Sequence, residues 1–292
     1  MRFGIVLLTD QPWAEAAPKW RAAEEMGFDH AWTYDHLVWG GLPDSPWLGA
    51  LPTLAAAAGV TSTIGLGTLV SAPNLHHPYR LFRDVQALED VSGGRFRLAV
   101  GTGGDIDSRV LGVEHLSVRD RVERFFEFVE VLERLRAEDH LTHEGRWFRT
   151  DGARTLPGAG FPLIVAGNGP RSVRFAAGHG DAWVTTGPGT AESLDEWFAG
   201  LARAAEVFGE ELERTGRPDV PRLVHTDSTP HVDAGEVRYA LRSPDFFAEM
   251  TGRLAELGFT DTIVAWPRAE GVYAGSEAVL EQVAADLIPT LR

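Results

Sequence analysis

The chain has 292 residues, 44% of them hydrophobic and 24% charged, the balance of a soluble globular protein with room for one large or two ordinary domains. A formal net charge of −15 argues against a nucleic-acid binder or a basic membrane-surface protein, and no apolar run approaches the ~20 residues that span a bilayer. The lack of cysteine excludes disulfides, thiolate catalysis and Cys-ligated metals.

Strand-like runs alternate with helical patterns from end to end. Phe3–Leu8 reads as the first strand; Thr9-Asp10-Gln11-Pro12 cuts it short of a signal peptide, so the expected setting is the cytoplasm. An amphipathic helix at 13–26 stops at Gly27, and the second strand is His30–Thr33. A polar, Trp-rich loop (38–47) leads to an Ala-rich helix at 51–59. Strand three covers 63–71 and its helix 78–91, with Pro78 suited to a first turn. Strand four, Phe96–Val100, ends abruptly in Gly101-Thr102-Gly103-Gly104-Asp105. At 118–138, Val122, Phe125, Phe126, Val129, Leu132 and Leu135 recur at helical spacing.

Residues 139–160 break the rhythm, and His140–Arg149 reads as a small hairpin or an extended excursion. Further strands are expected at 163–166, 182–185, 222–226 and 262–265. Their helices fall at 171–177, 191–214, 245–257 and 276–291, with a polar segment at 228–242. Eight βα units without a wide linker predict one domain, residues 1–292, built on a parallel sheet. The expected fold is an α/β (β/α)8 TIM barrel with a short excursion between helix four and strand five. A doubly wound open sheet is the alternative.

In such a barrel, ligands bind at the C-terminal strand ends. His36, directly after strand two, is a candidate proton donor or acceptor because its reference pKa lies near ~6.5. Trp39 and His225 are expected beside it, and Asp105 and His225 are the fallback acid–base groups. The turn Gly167-Asn168-Gly169-Pro170-Arg171-Ser172 feeds a helix N-terminus, where free amides, the helix dipole and a guanidinium suit a phosphate; a plain capped turn is the simpler alternative. His76-His77 reads as loop, since adjacent side chains diverge and no third metal ligand has suitable spacing. The segment His179-Gly180-Asp181 falls at the opposite end, where a stabilising role is expected.

Several stretches, kept in order, resemble the luciferase-like flavin and deazaflavin oxidoreductases. They are residues 23–29 with Asp35-His36, 64–68, His77-Pro78, 88–95, 166–170 and 180–183. The resemblance implies a barrel that binds coenzyme F420, a 5-deazaflavin, or alternatively FMN, and that acts on a small organic substrate, as a homodimer in the family manner. It also implies a non-prolyl cis peptide at Leu69-Val70 behind the ring. Asp35, Leu69, Val70, Ser71, Thr102 and Gly103 then belong to the cofactor site, His36 to proton transfer, and Gly167, Asn168, Gly169, Pro170 and Arg171 to the phosphate.

Two departures stand out. Thr102 replaces the arginine with which luciferase holds FMN phosphate, and Gly104 replaces the glutamate proton donor of deazaflavin-linked sugar-phosphate dehydrogenases. The first departure and the short 228–242 segment favour the deazaflavin over an FMN monooxygenase. A non-catalytic flavin-binding barrel is the reading from another class, and an apolar, plugged mouth would mark it.

Overall fold

The alternation closes on itself. The computed structural model describes residues 1–113, 115–158, 160–227 and 239–292. Its first half runs β1 (Arg2–Val6), α1 (Trp13–Glu25), β2 (His30–Thr33), α2 (Ala50–Ala58), β3 (Gly65–Ser71), α3 (Pro78–Ser92), β4 (Phe96–Val100), α4 (Asp105–Val110) and α5 (Val118–Ala137). Then come β5 (Leu141–Glu144), β6 (Arg149–Ala153), β7 (Leu163–Ala166), α6 (Pro170–His179), β8 (Ala182–Thr185) and α7 (Leu194–Thr215). The chain ends with β9 (Arg222–His225), α8 (Pro244–Glu256), β10 (Asp261–Ala265), α9 (Glu277–Gln282) and α10 (Ile288–Leu291).

All strands except β5 and β6 form one closed parallel barrel, in which β1 pairs with both β2 and β10. A parallel barrel is covered on both faces, so its strands are apolar almost throughout; every residue of β8 and β10 is buried. The expected TIM barrel is therefore the observed fold, and the open sheet is not. The surrounding helices bury one stripe each, as α5 does with Phe125, Phe128, Val129, Leu132 and Leu135.

Several details differ from expectation. The first strand stops at Val6, although Leu7 and Leu8 are also buried. The excursion is an antiparallel hairpin, β5–β6, reaching Ala153 rather than Arg149. An additional short helix, α4, starts right after the glycine run. The last helix contains a π-turn at Val283–Leu287, because Pro289 has no N–H to bond four residues back and the ladder slips one residue. Of the polar segment 228–242, residues 228–238 lie outside the described residues; Tyr239 and a 3-10 turn, Ala240–Arg242, lead into α8.

Several residues that carry the family resemblance serve the barrel's N-terminal end. The Glu24 carboxylate accepts the amides of Ser62, Thr63 and Ile64 at 2.8–3.1 Å. Arg95 donates to the carbonyls of Ser92, Ile64, Ala58 and Thr61 at 2.7–3.2 Å. Asp181 accepts the Leu163 amide at 2.9 Å and pairs with Arg136 at 2.8 Å. These bonds satisfy turn groups that would otherwise lack partners, and they fix the strands whose far ends build the site. Among the described residues, no helix is long and apolar enough to cross a membrane.

Candidate active site at the barrel mouth

The C-terminal ends of β2, β3, β4, β7, β8 and β9 surround a cavity of about 460 Å³. Strand β2 and the turn after it bring Tyr34, His36 and Trp39; β3 brings Leu69 and Val70; β4 is followed by Gly101 to Gly104. Beyond β7 and β8 come Gly167 to Gly169 and Thr185-Thr186, and β9 contributes His225. Among the described residues, no lysine or arginine lines the cavity.

His36 meets an aspartate the sequence reading passed over. Its Nδ1 lies 2.7 Å from Asp107 Oδ2, and the Asp107 side chain is 1% exposed. Asp107 Oδ1 accepts the amides of Leu37 and Val38 at 2.8 and 3.4 Å. Burial by itself would raise this carboxyl. The His36 bond and charge, with the two amides, hold it below the ordinary carboxylate range. An ionised carboxylate only accepts, so Nδ1 of His36 is the donor in this bond, an assignment made from the hydrogen bond.

Asp35 points the other way, as adjacent residues at a strand end do. Its Oδ2 accepts from Ser71 Oγ at 2.6 Å and His76 Nε2 at 2.7 Å. Asp35 and Ser71 thus engage each other, and neither lines the cavity. His77 caps α3 through the Tyr79 amide at 3.2 Å, so the two adjacent histidines serve separate structural bonds. The Leu69–Val70 peptide is cis, where the resemblance places such a bond, and the β3–β4 register shifts between Thr68 and Ser71.

The glycine run is a tight wall. Gly103 has φ +77°, and a Cβ there would lie 2.1 Å from Asn74 Oδ1, so conformation and space both exclude a side chain. Asn74 donates from Nδ2 to the Gly104 carbonyl at 3.1 Å, while its buried Oδ1 has no partner among the described residues. Gly104 itself borders open space, since a Cβ would meet nothing within 4 Å. Asp105 lies outside the cavity and pairs with Arg121 at 2.7 Å. Residues two apart on a helix face in different directions, which sends Asp107 inward and Asp105 outward.

At α6, Gly167 turns so closely that a Cβ would sit 2.8 Å from the Ser172 backbone. Trp183 Nε1 donates to the Gly167 carbonyl at 2.8 Å and holds the turn. The Asn168 side chain is spent on β8, accepting from Thr185 Oγ1 and the Thr186 amide and donating to Thr186 Oγ1. Gly169 is the N-cap and Pro170 the first helical residue. Arg171 leaves the cavity, with its guanidinium 5.1 Å from the Phe126 ring centre. The positive element facing the cavity is therefore the helix end itself.

An aromatic wall closes the β2 and β9 side. Trp39 stacks on Tyr273 with ring centres 5.7 Å apart and packs on Tyr34 at 5.2 Å. The Tyr34 hydroxyl lies 3.3 Å from His225 Nε2 and 2.8 Å from the Tyr273 hydroxyl. Burial pushes the His225 pKa down to about 3 and the Tyr34 pKa well up, so both stay neutral near pH 7. Asp227, at the end of β9, is structural: it accepts the amides of Ala240 and Ala265 at 3.0 and 2.8 Å. A proximity signal for Asp107 existed in its place just after the glycines. Tyr34 and Tyr273 are 239 positions apart, and no local pattern links them.

A closed (β/α)8 barrel with a His–Asp pair at a glycine-walled mouth defines a barrel enzyme with a ligand site at the C-terminal face. The chain belongs to the luciferase-like monooxygenase family, whose model matches residues 1–261. It is 27% identical to an F420-dependent glucose-6-phosphate dehydrogenase of Beutenbergia cavernae, over 92% of this chain and 91% of that one. It is 29% identical to an F420-dependent hydroxymycolic acid dehydrogenase of Mycobacterium tuberculosis, over 68% of this chain and 55% of that protein's length. The fold superposes with a TM-score of 0.80 on an F420-dependent secondary alcohol dehydrogenase in complex with an F420-acetone adduct, at 18% identity and full coverage of both chains.

Proposed function

We propose that this protein is a coenzyme F420-dependent oxidoreductase that transfers a hydride between the deazaflavin and a small organic substrate. The observation that carries the reading is the His36–Asp107 pair, 2.7 Å apart, with His36 lining the cavity beside the glycine wall. The names of the relatives support the deazaflavin, as does Thr102 at the position where luciferase carries its arginine for FMN phosphate. The open mouth beside His36, Trp39 and His225 argues against a non-catalytic carrier.

The residues present fit the cofactor. Gly104 and Gly169 present bare backbone, a Cβ at Gly169 meeting only Ser172 Oγ at 4.0 Å. The N-terminus of α6 suits the phosphate, and Leu69, Val70, Thr102 and Gly103 would lie against the ring. When bound, the deazaflavin supplies a two-electron hydride donor or acceptor. His36 Nε2 takes the substrate hydroxyl proton in the oxidising direction and returns it in the reducing one. Asp107 keeps the proton on Nδ1, orients the ring and stabilises the imidazolium that forms. His225, Tyr34 and Trp39 shape a neutral wall that limits water. The cytoplasmic setting and a homodimer belong to the same reading, the latter testable by light scattering.

Equilibrium titration with deazaflavin and with FMN is the direct test. Deazaflavin binding is expected, with turnover in a panel of enones, imines and alcohol/ketone pairs read at the cofactor's absorbance. Micromolar FMN binding with no detectable deazaflavin binding would overturn the reading in favour of an FMN monooxygenase.

A further inference from the structure

Exposed apolar side chains are spread unevenly over the protein. Single ones are ordinary on any surface, whereas a cluster marks a contact site. Among the described residues eight large hydrophobic side chains are exposed, and six of them belong to two segments. Leu37 and Leu48 fall between β2 and α2, and Val110, Leu111, Val113 and Val118 between β4 and the first turn of α5. Both segments leave strands at the C-terminal end, where the cavity opens. Val118 is the most exposed of the eight, at 68%, and a β-branched residue there does little for the helix it begins.

The 110–118 segment is built onto the active site. Gly112, at φ +66°, reverses the chain after α4, and the Val113 amide returns to the Ser108 carbonyl at 3.0 Å. On α4, Asp107 bonds His36 and accepts the Leu37 amide at 2.8 Å, which ties the two apolar segments together. Val122, one helical turn after Val118 on the same face, lines the cavity. An apolar path therefore runs from the cavity wall to its rim. Among the described residues the wall holds no lysine, arginine, aspartate or glutamate, and buried His225 and Tyr34 stay neutral. Such a wall offers a charged substrate no counter-ion to offset its desolvation.

We propose that the substrate is an uncharged alcohol, or the matching ketone, that bears a hydrocarbon chain. Its carbinol carbon lies beside His36, and its chain runs past Val122 onto the rim of Leu111, Val113 and Val118. The proposal deepens the deazaflavin reading and rests on it for the reaction. Oxidation breaks the carbinol C–H bond, whose hydride goes to the deazaflavin, and the O–H bond, whose proton goes to His36, leaving the ketone. Each methylene partly covered by the rim should raise kcat/KM about two- to threefold.

The test offers the full chain propan-2-ol, butan-2-ol, hexan-2-ol, octan-2-ol and glucose 6-phosphate, with turnover read at the deazaflavin's absorbance. The wild type is compared with L111S/V113S and with V91S, an exposed apolar position on α3 outside the two segments. Circular dichroism and deazaflavin titration check the fold and cofactor binding of each variant. In the wild type and V91S, kcat/KM should climb about two- to threefold per methylene, and glucose 6-phosphate should fall below octan-2-ol. L111S/V113S should flatten the climb. Saturation-transfer NMR of octan-2-one with the cofactor-free protein is a reading independent of the reaction. Its chain-terminal methyl should receive magnetisation in the wild type and lose most of it in L111S/V113S. A flat chain-length series, or a preference for glucose 6-phosphate, would overturn the proposal and leave the deazaflavin reading intact. Octan-2-one contact without deazaflavin binding would overturn that reading and keep the apolar site; absence of both would overturn both. If light scattering shows L111S/V113S turning a dimer into a monomer while the climb is unchanged, the rim belongs to a second copy and the proposal fails.

Discussion

His36 and Asp107, 71 positions apart in the chain, meet through a 2.7 Å bond between Nδ1 and Oδ2, and the proposed proton transfer assigns the other ring nitrogen, Nε2, to the substrate. General acid–base catalysis typically contributes ~100- to ~10,000-fold. His36→Ala should therefore lower kcat at least about 100-fold while deazaflavin affinity, read by fluorescence, changes little. Asp107→Asn should lower kcat with KM nearly constant, and Asp107→Glu should recover part of the loss. Near-normal turnover in His36→Ala would make the pair structural.

His225 gives a pH signature. Its folded pKa is depressed to about 3 by burial, against ~6.5 in an unfolded chain. Between those values the unfolded state binds the proton and the native state does not, so stability falls as pH drops through this window. The loss attributable to His225 is about 2 kcal/mol between pH 7 and pH 5. Urea denaturation at the two pH values should show a smaller drop in His225→Gln than in the wild type; an identical drop would refute the assignment.

Gly169 separates binding from folding. Its φ is −96° and a Cβ would meet only Ser172 Oγ at 4.0 Å, so the fold tolerates a side chain there. Gly169→Leu should weaken deazaflavin binding by about tenfold or more, because bulk blocks approach to the α6 N-terminus, while the thermal midpoint stays within a few degrees. Unchanged affinity would move the phosphate elsewhere.

Arg95 makes the opposite prediction. Four carbonyls depend on its guanidinium, and a buried acceptor left unpaired costs about 1–3 kcal/mol. Arg95→Met should destabilise the protein by about 2–4 kcal/mol in denaturant titrations. Cofactor affinity, measured where the variant is still folded, should remain at the wild-type level.

Much of the architecture was legible in the chain order of residues. Alternating apolar strands and amphipathic helices recur eight times, and a parallel sheet buried on both faces demands that pattern. The position of His36 after β2, the glycine run after β4 and the Gly-Asn-Gly-Pro turn before α6 were equally local, since each depends on neighbouring residues alone. The tertiary structure decided what those residues face. Whether Asp105 or Asp107 enters the mouth depends on the helical phase of α4, a helix too short to leave a periodic signal. Arg171 turns outward because Phe126, on a different helix, offers its ring. Asp35 is drawn to Ser71 and His76 by the pairing of β2 with its neighbour β3. Sequence sets periodicity and backbone freedom within a few residues; side-chain direction at the mouth follows from closure of β1 on β10, which no short stretch encodes.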